Sequence, residues 1–427
     1  MDPAMPHMTI FPEILANVTQ SKIIGYPTPN VESGNKVAIP GQNLTFAPLY
    51  YPEPVFLKIF LPIAMQPSQK IYVFTKYSAK GPSSRYRTFQ YIPIWQKEYD
   101  IEINELLGDW YFCGGNHLLR KFFLLCKSFL KRYILLRKIT PNDIVWIEYE
   151  LFPYLGTQNE KMLKKKGIPF ILDYDDAIFH HYDNHPNFLV RKLLGKKIRS
   201  LVKLANFVIT GSPYLTNYVK LAQPRTIEIP TSINPMEYDL TISRFEKEKK
   251  GIFIVGWLGS YSTSFNLTLI VEAFASFSKK YQAELWLMGF DERMVEMWEG
   301  LPVRFFKWGA DVEKRFLNTI DVGVMPLVDL PFAHGKCGFK LIQYMAMGKP
   351  TISTPMEANL KIDRERINFF ASTTKEWEEA FETIAKVGTG TSYNGNRKVV
   401  EEFYNIHRNG NVYLDLFKRI KELDRIN

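Results

Sequence analysis

Apolar residues recur along this chain in two rhythms. Short unbroken apolar runs closed by Gly, Ser or Pro predict buried strands at 70–78 (KIYVFTKYS), 143–150, 168–176, 206–212 and 226–232. Stretches with helical spacing lie between them, such as TQNEKMLKKKG and PYLTNYVKLA. Such alternation predicts a parallel sheet covered on both faces. A second series follows, with strands at 251–260 and in AELWLMGF, VRFFKWG, DVGVMPL and PTISTP. Its predicted helices are NLTLIVEAFASFSKKY, EKRFLNTI and residues 336–347.

The expected fold is therefore α/β, with two doubly wound Rossmann-like domains, 70–240 and 251–399, facing a central cleft. Residues 241–250 read as a charged linker, and 400–427 as a helix crossing back onto the first domain. Residues 1–69, rich in Pro, Asn and Ser, read as an N-terminal extension of uncertain order. Open sheets of this kind bind ligands at the carboxyl ends of their strands, which places the site in the cleft.

Charge changes the picture in one segment. Residues 70–240 carry 25 basic and 16 acidic side chains, whereas 241–427 carry 26 and 24. Much of the excess sits in LLRKFFLLCKSFLKRYILLRK (118–138), with seven cations and no acid. Arg120, Lys127, Lys131 and Lys138 step by 7, 4 and 7 among aromatic and aliphatic residues. This is the pattern of a helix on an anionic membrane surface; a solvated surface helix is the plainer alternative. No nucleic-acid-binding motif accompanies the charge, so nucleic acid is not expected as a partner. No apolar run suits a spanning helix, no secretory signal is evident, and Cys113, Cys126 and Cys337 are scattered. The expectation is a cytoplasmic protein, peripheral on the inner face of the cell membrane.

Candidate chemistry follows the strands. In HGKCGFKLIQYMAMGKP, Lys336 and Lys340 stand at the start of a helix, where the macrodipole disfavours cations. An anion makes sense of them: with Gly335 and Gly338, they suit a diphosphate at a helix N-terminus. Gln343, on nearly the same face as Lys340, suits a ribose hydroxyl. After the strand ending GWLGS, Ser262 and Thr263 suit a phosphate or an ordinary N-cap. In DYDDAIFHHYD, strand alternation puts Asp173 and Asp175 on one face and Asp176 on the other. One of these carboxylates is expected to act on a sugar or acceptor hydroxyl, with His180 nearby. In GPSSRYR, Ser84 and Arg85 are cleft candidates and Arg87 reads as structural. Trp308 suits a base or the core.

Together KYSAKGPSSRYRTFQYIP, ILDYDDAIF, GWLGSYST, DVGVMPL and GKCGFKLIQYMAMGKPTISTP resemble retaining GT-B glycosyltransferases of family 4, from about residue 70 to 427. The resemblance implies a metal-independent transferase, without a cofactor, that uses a nucleotide-sugar as co-substrate. The donor would bind the C-terminal half and a glycan or lipid-linked acceptor the N-terminal half. It implies donor contacts at Lys336, Lys340, Gly338, Ser262 and Thr263, with Gln343 and Trp308 toward ribose and base. The catalytic group would be Asp175 or Asp173 together with Lys340, and the acceptor would meet Arg85, Ser84, Asp176 and His180. The chain departs from the family in that Gly335 and Gln343 stand where the family's Glu-x7-Glu has its glutamates, and Ser260 and Ser262 to Phe265 occupy the loop that carries the family's Arg and Lys. The expected activity is hexosyl transfer with retention, in cell-surface polysaccharide synthesis. The competing readings are a glycan phosphorylase and a non-catalytic membrane-associated scaffold.

Overall fold

The computed structural model describes residues 69–112, 118–247, 251–388 and 393–426. The predicted extension, apart from Gln69, and residues 248–250 of the predicted linker lie outside the described residues. The first sheet contains β1 (Lys70–Tyr77), β2 (Asp100–Leu107), β3 (Ile144–Glu148), β4 (Phe170–Tyr174), β5 (Phe207–Thr210) and β6 (Thr226–Glu228). Their spatial order is β2-β1-β3-β4-β5-β6, and every pairing is parallel. The second contains β7 (Phe253–Leu258), β8 (Ala283–Met288), β9 (Val303–Phe306), β10 (Val322–Met325), β11 (Thr351–Ser353) and β12 (Phe369–Phe370). It runs β12-β11-β10-β7-β8-β9, again parallel throughout.

The central strands are buried along their whole length, which is why they read as continuous apolar runs. Edge strand β2 (DIEINELL) has polar residues throughout and is half exposed, so no apolar run announces it. β12 has only two residues. Pro82–Arg87 is a short helix with Pro82 in its first turn and an extended Gly81 as N-cap. The helix expected after β7 begins as 3-10 turns over Tyr261–Ile270 and becomes α-helical at Val271–Lys280.

The C-terminal helices tie the halves together. Val399 and Val400 of the helix Asn394–Phe403 join the second core, against Leu341 and Met345. The helix Ile406–Ile426 then returns to the first sheet. There Tyr413 and Phe417 meet Trp146 edge-on, with ring centroids 5.3 and 6.2 Å apart, beside Trp95. Each fully buried aromatic of this kind contributes roughly 2–3 kcal/mol by removal from water. No helix among the described residues is long and apolar enough to cross a membrane.

Candidate functional site

A cleft of about 340 Å3 lies between the two sheets, at their strand carboxyl ends. One wall comes from the segments after β1 and β4, the other from those after β7 and β10 and from the helix Phe339–Ala346. It brings together Arg85, Asp175, Asp176, Thr263, Trp308 and Lys336 with Gly338, Lys340 and Gln343.

The helix Phe339–Ala346 opens on Gly338, whose φ of 65° is left-handed. That conformation favours glycine, and a Cβ there would also come within 2.3 Å of Ile362 Cδ1 and have to displace it. Phe339 and Lys340, whose amides open the helix ahead of its own ladder, line the cleft. The two lysines of this segment differ. Lys336 Nζ reaches across to Asp176 Oδ1 at 2.8 Å. Burial disfavours its ammonium, but Asp176, with Asp175 and Cys337 behind it, more than offsets this and raises its pKa. Lys340 lies 4.7 Å over the Trp257 ring and, among the described residues, has no hydrogen-bond or ion-pair partner. Burial, then Lys336, lowers its pKa to about 7. Only one of the two predicted cations thus lacks a counter-charge.

Gln343 does not face the cleft as a free amide. Its Nε2 donates to Glu313 Oε1 at 2.9 Å and to Tyr238 Oη at 3.2 Å. Glu313, on the helix Ala310–Thr319, is the group the sequence reading missed. It is buried, lines the cleft, and accepts a second hydrogen bond from Trp308 Nε1. Burial raises its pKa against the opposing pull of Trp308, Arg85 and Gln343. Trp308 lines the cleft as well, with the Arg85 guanidinium 5.1 Å from its ring. Arg85 itself is held by the carbonyls of Ala79 (2.9 Å) and Lys80 (3.0 Å). Nor is Thr263 a free phosphate donor: its hydroxyl donates to Ser260 O (2.9 Å) and accepts from Ser260 N (3.1 Å). Ser262 Oγ pairs with Ser260 Oγ at 3.2 Å, and Ser262 lies outside the cleft lining. The plain capping role describes this turn.

On the other wall the three aspartates part company. β4 ends at Tyr174, so strand alternation does not extend to Asp175 and Asp176. Asp173, expected as a catalytic candidate, is buried beneath the site in a fork with Arg87, whose Nε donates at 3.0 Å. Arg87 also donates to Ile229 O at 2.8 Å. Asp175 reaches the cleft and accepts hydrogen bonds from Ser83 Oγ (2.8 Å) and from the Tyr149 hydroxyl. Tyr149, just past β3, holds a left-handed φ of 61°, a strained conformation for a bulky residue next to a candidate site. Behind them lies Glu148, also missed. Ser84 Oγ donates to it at 2.7 Å, so Ser84 supports the site from beneath instead of lining it. Burial, then Asp175, raises the Glu148 pKa to about 8, so this carboxyl is largely protonated at neutral pH. Ser83 Oγ stands between Glu148 Oε1 (3.3 Å) and Asp175 Oδ2 and links the two carboxyls. His180 is not in the cleft: its ring nitrogens pair with Asp183 and Tyr214, each at 2.9 Å.

The glycine at 335 also has a physical account. A Cβ there would lie 2.5 Å from Ala177 Cβ and 2.7 Å from Ala177 N, across the domain interface. No side chain fits between the two walls at this point.

Comparison with known proteins agrees with this architecture. Residues 250–387 match the family described as glycosyl transferases group 1. The putative teichuronic acid biosynthesis glycosyltransferase TuaH of Bacillus subtilis is 23% identical over 236 residues; the match takes in 51% of this chain and 56% of that protein. This chain thus spans little more than half the length of that relative. Among solved structures, a glycosyltransferase from Rickettsia africae superposes with a TM-score of 0.59 at 14% identity, covering 82% of this chain and 98% of the other. HepE of Anabaena, solved with UDP-glucose, superposes with a TM-score of 0.56 at 12% identity, covering 82% and 99%. The fold is GT-B: two Rossmann-like domains across a central cleft.

Proposed function

We propose that this protein is a retaining glycosyltransferase of the hexosyl-transferring kind, moving a sugar from a nucleotide-sugar to a glycan or lipid-linked acceptor. The observation that carries the reading is Lys340: an amine in the interdomain cleft, beside a helix N-terminus, with no carboxylate to balance its charge among the described residues. A departing nucleoside diphosphate supplies the missing charge, and preorganised cations and amides act most strongly where charge develops. Glu313 complements this end of the cleft. Its carboxylate accepts hydrogen bonds, so it suits the vicinal hydroxyls of a ribose and repels phosphate.

Asp175, held by Ser83 and Tyr149, orients the acceptor hydroxyl. The acceptor oxygen bonds to the anomeric carbon as the carbon–phosphate-oxygen bond breaks on the same face. The acceptor proton passes to the leaving diphosphate. Lys340 replaces the balancing charge a metal would otherwise bring, so the reaction is proposed to run without one. The name of the Bacillus subtilis relative, a teichuronic acid biosynthesis glycosyltransferase, supports cell-surface polysaccharide synthesis as the setting.

The test is transfer from a panel of UDP-, GDP-, ADP- and CMP-sugars to glycan acceptors, run beside the same acceptors with inorganic phosphate. Turnover with one nucleotide-sugar supports the reading. Phosphorolysis alone indicates the phosphorylase alternative, and no turnover with intact nucleotide binding indicates a scaffold.

A further inference from the structure

We infer that the helices Leu118–Lys138 and Phe188–Leu194 form one docking surface for an anionic lipid membrane. The first helix is inverted relative to an ordinary surface helix. Two of its three buried side chains are cations, Lys121 and Arg132. Arg132 is satisfied inside by Asn104 Oδ1 (2.8 Å), Leu151 O (2.9 Å) and Thr75 O (2.7 Å). Meanwhile Leu119, Phe123, Leu130 and Ile134 are 75, 68, 59 and 51% exposed. They step by 4, 7 and 4, so they form a single outward stripe. An apolar stripe facing water marks an interaction surface.

The charge beside the stripe identifies the occupant. Arg120, Lys127, Lys131 and Lys138 step by 7, 4 and 7 and are all exposed, forming a second stripe next to the apolar one. No acidic residue lies in these 21 positions. A second copy of the chain meeting this face across a two-fold axis would bring the cations together. A nucleic acid would pair with the cations but leave the leucines and phenylalanine in water. An anionic bilayer surface satisfies both stripes, with phosphate headgroups against the cations and acyl chains against the apolar row.

The second helix repeats the arrangement in miniature. Phe188, Leu189 and Leu193 are exposed, beside Arg191 and Lys192. Both parts of the chain anchor to the same segment after β3. Arg132 donates to Leu151 O, Phe129 packs on Phe152 at 5.2 Å, and Lys197, in the helix after Phe188–Leu194, donates to Phe152 O at 2.7 Å. That segment follows directly on Glu148 and Tyr149, at the strand ends that carry the acceptor wall. Given the transferase reading above, the acceptor is then a lipid-linked glycan delivered from the same surface.

The test is co-sedimentation of the full chain with vesicles of phosphatidylcholine alone and with phosphatidylglycerol at about one third of the lipid. Wild type is expected to bind the anionic vesicles at least about tenfold more tightly. Phe123→Ser with Ile134→Ser, and separately Lys127→Glu with Lys131→Glu, should each remove most of that binding while leaving nucleotide binding unchanged. Phe188→Ser with Leu193→Ser should weaken it. The inference is overturned if wild type ignores anionic vesicles or binds both kinds alike. It is equally overturned if the apolar variants bind as wild type does, or if the face proves to hold a dimer that these variants dissolve. Because the vesicles carry no sugar acceptor, this outcome is independent of whether transfer occurs.

Discussion

Lys336 Nζ and Asp176 Oδ1, from opposite domains, lie 2.8 Å apart and close the cleft at one point. The pair settles which lysine is open to a ligand. Lys336 already has its anion, and Lys340 has none among the described residues. Asp176 therefore competes with a diphosphate for Lys336. Asp176→Asn should tighten nucleoside diphosphate binding severalfold and weaken interdomain closure in the empty protein. Calorimetric titration checks the first effect and small-angle scattering the second. Weaker binding in the variant would show that Asp176 serves the ligand and does not compete with it.

Lys340 gives a pH dependence with a definite sign. Its pKa in the folded protein is lowered to about 7, so between there and the ordinary lysine range the unfolded chain binds more protons. This group therefore makes stability rise with pH across that window. A bound diphosphate favours the ammonium form, so binding above neutral pH draws in a proton. Nucleotide affinity should fall as pH rises above about 7, by up to tenfold per unit. Titrations in buffers of different ionisation enthalpy report the proton uptake; a flat profile would count against the assignment.

Glu313 predicts a ligand-specific loss. Glu313→Gln keeps the shape but gives up one acceptor and the negative charge. It should raise KM for the donor about tenfold, with a smaller effect on kcat, consistent with one charge-assisted hydrogen bond. The same variant should discriminate less between a nucleoside diphosphate and its 2′,3′-dideoxy analogue. Equal discrimination in both proteins would remove Glu313 from the ribose contact.

Asp173 predicts instability in place of lost chemistry. Asp173→Asn leaves the Arg87 guanidinium buried without its counter-charge, a change that costs about 3–5 kcal/mol. Thermal or urea denaturation reads this directly. Activity per folded molecule should be nearly unchanged, since Asp173 does not reach the cleft.

The sheets were legible because buried parallel strands leave unbroken apolar runs, and the cleft followed from the rule that ligands sit at strand carboxyl ends. The lysine-rich helix entry was legible as an electrostatic anomaly. Glu148 and Glu313 were not, because a lone carboxylate closing a strand or lying within a helix resembles any solvated one until its burial is known. Asp173 misled for a related reason. Asp175, two residues on, already lies past the end of the strand, and only the partner 86 positions away, Arg87, distinguishes a structural carboxylate from a catalytic one. At Gly335, where the resembled family has a glutamate, the contact with Ala177 shows that the domains approach too closely for any side chain.

The most direct measurement is titration of wild type and Lys340→Ala with a panel of nucleoside diphosphates, with circular dichroism confirming that both are folded. The account predicts that one diphosphate binds wild type and that the variant binds it about a hundredfold more weakly, the scale of a lost charge-assisted contact to phosphate. Equal affinity in the two proteins, or no binding of any diphosphate by wild type, would contradict it.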